Sequence, residues 1–100
     1  MADLLGLATK EITRKEILKL CQEAGELGCS KEVLNAALGK LGITPKNLDM
    51  ELHYLQEKGL LHVQLIENTR LNIRRKVVQI TASGMDYLEG TGEDIPGIGV

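Results

Sequence analysis

The spacing of apolar residues changes from a helical to an extended period immediately after Gly59. Before this glycine, apolar side chains recur every three or four residues, whereas Leu61, Val63 and Leu65 alternate with polar residues after it. The first spacing places side chains on one face of a helix, and alternation places them on one face of a strand. The sequence therefore predicts several helices followed by a β-hairpin, in an α+β fold that is mostly helical.

A capping box predicts where the first helix begins. Thr13 and Glu16 can each bond the other's backbone N–H, which places the helix at about 14–24, and Gly25 can end it in a left-handed conformation. Three cations of this helix are predicted to form a solvated face: Arg14, Lys15 and Lys19.

Two further helices are predicted from similar signals. Ser30 is the expected N-cap of the second helix, and Gly42 ends it. Thr44 is the expected N-cap of the third helix, with Pro45 at the first helical position, where its missing N–H costs nothing. The third helix is expected to end at Gly59.

The last part of the chain is predicted to form the hairpin and a short helix. Strands are expected at 61–65 and 75–80 around a seven-residue loop at 68–74. Thr81 is the expected N-cap of the closing helix. With 100 residues the chain suits one domain, expected at 12–90, with an N-terminal arm at 1–11 and a flexible C-terminal tail at 91–100.

Composition excludes several classes of function. No apolar stretch reaches the roughly 18 residues of a membrane-spanning helix, and no signal peptide is visible, so a cytoplasmic protein without membrane contact is expected. Cys21 and Cys29 are expected to be reduced thiols at the core or its boundary. Together with His53 and His62 they match no zinc-binding pattern, and no catalytic motif is present, so neither metal, cofactor nor enzymatic activity is predicted.

Two short segments carry a resemblance to a known family. LQEKGLL at 55–61 is similar to the "L-x-x-x-G-L-[LIV]" exit from the third helix of winged helix-turn-helix transcriptional regulators of prokaryotes, and ITASG at 80–84 is similar to their "[LI]-T-x-x-G". The resemblance covers about 12–90 and implies three helices, a two-stranded β-hairpin wing and a short C-terminal helix. A looser similarity, through the tail at 90–100, is to small winged-helix proteins of Mu-like bacteriophages.

The resemblance implies a DNA-binding surface. In such domains the third helix enters the major groove and the wing contacts the backbone or the minor groove. The residues predicted to face the major groove are Lys46, Asn47, Met50 and His53. The wing carries four cations in seven residues, which suit phosphates: Arg70, Arg74, Arg75 and Lys76. The expected partner is therefore double-stranded DNA, and the expected function is transcriptional regulation.

The charge of the third helix leaves a second interpretation open. Between 45 and 59 two lysines stand against three acidic residues, a net charge of −1. Such a helix, with Met50 and Tyr54 on it, would suit a protein partner, so the alternative is an interaction module that does not bind DNA.

A homodimer is expected if the chain binds DNA, because one small module offers limited contact area. The dimer contact is expected at Leu4, Leu5 and Leu7, or at the final helix and tail.

Overall fold

The computed structural model describes residues 4–90. They form four α-helices and a three-stranded antiparallel sheet. The helices are α1 (Leu4–Ala24), α2 (Lys31–Lys40), α3 (Leu48–Glu57) and α4 (Ala82–Glu89). The strands are β1 (Cys29–Ser30), β2 (Leu61–Asn68) and β3 (Ile73–Ile80), in the order β1-β3-β2. The flexible tail predicted at 91–100 lies outside the described residues, and the predicted domain limits stay a prediction.

The first helix is longer than the sequence predicted. Thr13 lies inside α1, where its hydroxyl donates a hydrogen bond of 2.8 Å to the Thr9 carbonyl, so it caps nothing. The predicted capping box is therefore wrong. Residues 7–12 contain no glycine or proline that would stop a helix, and α1 begins at Leu4, within the predicted arm.

The predicted N-cap of α2 is confirmed, whereas the predicted N-cap of α3 is wrong. Ser30 caps α2 by accepting a hydrogen bond of 3.2 Å from the Val33 backbone N–H, as predicted. Helix α3 begins later than predicted, because Asn47 and not Thr44 is its cap. The Asn47 side-chain oxygen accepts a bond of 3.1 Å from the Met50 N–H, and asparagine is at least as good an N-cap as threonine.

The end of α3 and the start of α4 confirm the sequence analysis. Gly59 has a φ of 77°, and the Leu60 N–H donates to the Leu55 carbonyl at 3.0 Å, which is the bond pattern of a Schellman motif. Thr81 caps α4 by accepting a bond of 3.0 Å from the Gly84 N–H. Both predicted boundaries are confirmed.

The hairpin is longer, and its turn tighter, than predicted. Strands β2 and β3 pair from Leu61↔Ile80 to Asn68↔Ile73, which leaves only residues 69–72 as the turn. The prediction of a seven-residue loop is therefore wrong. Three of the four wing cations lie on β3: Arg74, Arg75 and Lys76.

Side-chain and backbone features of Asn68 and Asn72 explain the tight turn. The Asn68 side-chain oxygen accepts a bond of 3.2 Å from the Leu71 N–H. Asn72 has a φ of 52°, a left-handed conformation that asparagine adopts more readily than most residues.

One core lies between the helices and the sheet. Its buried apolar side chains are Ile17, Leu18, Cys21, Leu34, Leu38, Leu48, Leu52, Leu55, Leu60, Leu61 and Val78. The helical spacing of the second helix predicts an apolar stripe made of Val33, Leu34, Ala37, Leu38 and Leu41, but Val33 and Leu41 are 61% and 54% exposed. The stripe is narrower than predicted because the buried contacts of α2 are made by Leu34 and Leu38.

Both cysteines are free thiols, Cys21 buried and Cys29 half-buried, as predicted. A hydrogen bond between the two side chains raises the pKa of Cys21. The same bond lowers the pKa of Cys29 to about 7, because it stabilises the Cys29 thiolate.

Candidate nucleic-acid interface

The exposed face of α3 presents two of the predicted base-contacting residues. Met50 is 63% exposed, and His53 lies on the same face with its Nε2 atom 3.3 Å from Glu57 Oε1. Leu48 and Leu52 are buried on the opposite face. Met50 and His53 therefore point away from the core, as contact with the major groove would require.

The other two predicted residues of this group, Lys46 and Asn47, lie just before the helix. Lys46 is exposed. The carbonyl oxygen of the Asn47 side chain is bonded to the Met50 N–H in the cap, so it is the amide NH₂ group that remains to contact a ligand. Both residues lie at the N-terminal end of α3, where backbone N–H groups favour anions.

Asp49 connects α3 to both α2 and the wing. Its Oδ2 atom lies 2.8 Å from Lys31 Nζ, and its Oδ1 atom lies 3.1 Å from Lys76 Nζ. The hydrogen bond from Lys31, and then that from Lys76, hold the pKa of the Asp49 carboxyl below its usual value. The first turn of α3 and the middle of β3 are therefore adjacent, and they form one continuous surface.

The four predicted wing cations have different surroundings. Arg74 faces Glu67 across the β2–β3 ladder, with its Nε atom 3.2 Å from Glu67 Oε1. Lys76 bonds to Asp49. Arg70 lies in the turn and Arg75 on the opposite face of the sheet from Arg74, and neither forms an ion pair within residues 4–90. These two arginines are the wing cations most available to an anion.

Arg14 is not part of a solvated face, contrary to the prediction. Its Nε atom lies 2.6 Å from Glu51 Oε2, and the two side chains are only 12% and 9% exposed. The guanidinium carbon also stands 3.7 Å from the centre of the Tyr54 ring, a cation–π contact. This cluster fixes α3 against α1.

The ion pairs change the electrostatic character of α3. Its net negative charge argued against an approach by phosphates, but Glu51 is buried against Arg14 and Asp49 lies between two lysines. Two of the three acidic side chains of the helix are therefore neutralised by cations from other elements. A phosphate near α3 would meet less repulsion than the sequence alone suggests.

The fold is similar to that of a chain of known structure. The X-ray structure of a PadR-like transcription factor from Bacteroides fragilis superposes with a TM-score of 0.58 at 21% sequence identity, over 77% of this chain and 78% of that one. The chain has a winged-helix fold. The predicted fold class is thus confirmed, with β2 and β3 as the wing and α3 as the third helix. Neither a protein-family model nor a curated protein matches the sequence.

Two other kinds of site are absent from residues 4–90. None of the helices in this range has the length and apolarity that a membrane crossing requires. The same range contains no group of three or more His, Cys, Asp or Glu side chains arranged to hold a metal ion.

Sequence reasoning missed Lys31, Asp49 and the Arg14–Glu51 pair as parts of this surface. Lys31 follows the Ser30 cap and belongs to no motif, and its partner lies 18 positions away. Glu51 shows no sign of burial in the helical spacing. Each contact joins elements that are distant in sequence, so only the packing of the helices reveals it.

Proposed function

We propose that this chain is a winged-helix regulator of transcription that binds double-stranded DNA and is not an enzyme. The observation that carries this proposal is the contact between Lys76 of β3 and Asp49 of α3, which makes one surface of the third helix and the basic wing. The fold likeness to a transcription factor supports it.

The residues divide into two roles under this proposal. Those at the start and on the exposed face of α3 would face the major groove and read bases: Lys46, Asn47, Met50 and His53. Those of the wing would neutralise phosphates: Arg70, Arg74, Arg75 and Lys76. Arg70 lies in the turn and Arg75 on the face of the hairpin opposite Lys76, so these two arginines would contact phosphates beside the wing. They would contribute most, because Arg74 and Lys76 already have acidic partners.

We also propose a homodimer, since two copies would contact two half-sites on the DNA. The predicted dimer residues Leu4 and Leu5 lie on the first turn of α1, and Leu5 is 79% exposed. A prokaryotic or phage origin and a place in the cytoplasm stay predictions from the sequence.

The experiment that tests DNA binding is a fluorescence-anisotropy titration of a labelled random-sequence duplex at several salt concentrations. We expect the logarithm of the binding constant to fall by about 0.9 per phosphate neutralised for each log unit of salt. The double variant Arg70→Ala, Arg75→Ala should weaken binding at least about ten-fold at low salt and reduce the salt slope by roughly 1.8.

A charge-matched control separates a wing contact from an effect of net charge. Lys19→Ala with Lys40→Ala also removes two cations, both exposed and outside the proposed surface, and should change affinity much less. Equal losses in both double variants would contradict the assignment of the wing. No binding by the unmodified chain, even at low salt, would favour the protein-interaction module, for which the exposed Met50 on α3 offers an apolar contact.

A further inference from the structure

One carboxylate lies between two ammonium groups at the junction of α2, α3 and β3. Asp49 uses Oδ2 for Lys31 Nζ, at 2.8 Å, and Oδ1 for Lys76 Nζ, at 3.1 Å. Each oxygen therefore has a lysine of its own. All three side chains remain partly exposed, at 48% for Asp49, 32% for Lys31 and 43% for Lys76, so a ligand can reach them from the solvent.

The Asp49 carboxylate resembles the phosphodiester group of DNA in geometry and charge. Like a carboxylate, a phosphodiester presents two oxygens joined through one atom and sharing one negative charge. Two lysines that hold both oxygens of Asp49 are therefore spaced to hold the two non-bridging oxygens of a DNA phosphate. As long as Asp49 occupies this position, it competes with the phosphate for the two lysines.

The geometry points to a phosphate-binding site formed by Lys31 and Lys76, which the Asp49 carboxylate occupies in the free protein and a DNA phosphate takes over on binding. This inference rests on the proposed function and adds Lys31, a residue of α2, to the interface. Asp49 then acts as an internal competitor that lowers the affinity for DNA of any sequence. Binding would thus depend more strongly on the base contacts of α3, which Asp49 does not oppose.

The opposite role for Asp49 predicts the opposite effect. If the carboxylate served only to order the two lysines for DNA, its removal would leave them mobile and weaken binding. If it instead masks them, its removal frees two cations. The sign of the change in affinity distinguishes the two.

The test is the isosteric variant Asp49→Asn in the full chain, titrated against the labelled random-sequence duplex. Glu32→Gln is the matched control, because Glu32 is an exposed acid beside Lys31 in the first turn of α2 with no ion pair among residues 4–90. We expect Asp49→Asn to tighten binding roughly ten-fold at low salt, as two exposed ion pairs no longer compete with the DNA. The salt slope should change by less than about 0.9, because the same phosphate is held by the two lysines in both complexes. Thermal unfolding confirms that both variants fold.

A second comparison shows whether the two lysines are responsible. Adding Lys31→Gln and Lys76→Gln to Asp49→Asn should abolish the gain. An equal gain from Glu32→Gln would overturn the inference, because net charge would then explain the effect, and weaker binding by Asp49→Asn would overturn it as well. Both outcomes leave the proposed function intact. Binding by Asp49→Asn but not by the unmodified chain would support the masking, whereas no binding by either would reject the inference and the proposed function together.

Discussion

Glu51 is an acidic side chain buried between α3 and α1. The side chain of its partner Arg14 is only 12% exposed and lies against the Tyr54 ring. Taking two charges out of water is costly, so such a pair adds little to stability compared with apolar side chains of the same shape. Removing Glu51 is different, because Arg14 then loses its 2.6 Å ion pair at a position that is largely shielded from water.

We therefore expect Glu51→Ala to lower the free energy of unfolding by about 3 kcal/mol. Glu57→Ala is the control on the same helix, since Glu57 is 67% exposed and should cost about 0.5 kcal/mol or less. Urea denaturation followed by circular dichroism measures both. Equal losses in the two variants would show that the buried pair does not hold α3 against α1.

The two segments that resemble winged-helix regulators contact one another in the fold. The Thr81 hydroxyl donates to the Gly59 carbonyl at 2.6 Å, and the Thr81 N–H donates to the Leu60 carbonyl at 3.1 Å. Gly84, in the first turn of α4, is buried close to the same Leu60 carbonyl. Thr81 and Gly84 of the second segment therefore pack the start of α4 against Gly59 and Leu60 of the first segment.

Gly84→Ala should consequently destabilise the protein, although alanine favours helices. A Cβ atom at this position would stand 2.3 Å from the Leu60 carbonyl oxygen and 2.7 Å from Ile80 Cγ1, so the backbone would have to move. We expect a loss of about 2 kcal/mol in the free energy of unfolding.

Gly39→Ala is the matched change in α2, where a Cβ would meet nothing within 4 Å. It should stabilise the protein by about 0.5 to 1 kcal/mol. Urea denaturation measures the free energy of unfolding of both variants, and we expect the two changes to have opposite signs. A gain in stability from both variants would mean that α4 does not approach Leu60 closely.

Elements with a local signal were predictable from the sequence, and elements made by distant contacts were not. Ser30 and Thr81 form caps that involve only neighbouring residues, and both were found. The two-residue strand β1 was missed because its pairing with Val77 and Val78 is its only strand signal. Thr13 was misread because a threonine in a helix can bond the preceding turn as well as cap a new helix.

The charged residues of the whole molecule show the same difference between what a local sequence signal predicts and what depends on distant contacts. The sequence predicted which cations belong to the wing, but not that Arg74 and Lys76 have acidic partners while Arg70 and Arg75 have none within residues 4–90. The sequence also predicted that the third helix is acidic. It did not predict that Arg14, Lys31 and Lys76 neutralise two of the acidic side chains of this helix. Ion pairs between elements decide how a surface meets an anion, and they form only when the packing brings the elements together.

The N-terminal half of α1 carries exposed apolar side chains. Leu5 is 79% exposed and Ile12 is 55% exposed, and with the exposed Ala8 between them they recur at helical spacing. Leaving such a stripe in water is unfavourable, and packing against the same stripe of another chain would bury it.

We therefore expect a mass in solution of twice the 10.9 kDa of one chain, measured by light scattering. Leu5→Asp with Ile12→Asp should shift the mass to that of one chain, because charges would then be buried in the contact. The control is Leu27→Asp with Leu41→Asp, two residues that are 89% and 54% exposed and lie outside α1. A single-chain mass for the unmodified protein at every concentration would contradict the dimer, and loss of the dimer in the control alone would move the contact away from α1.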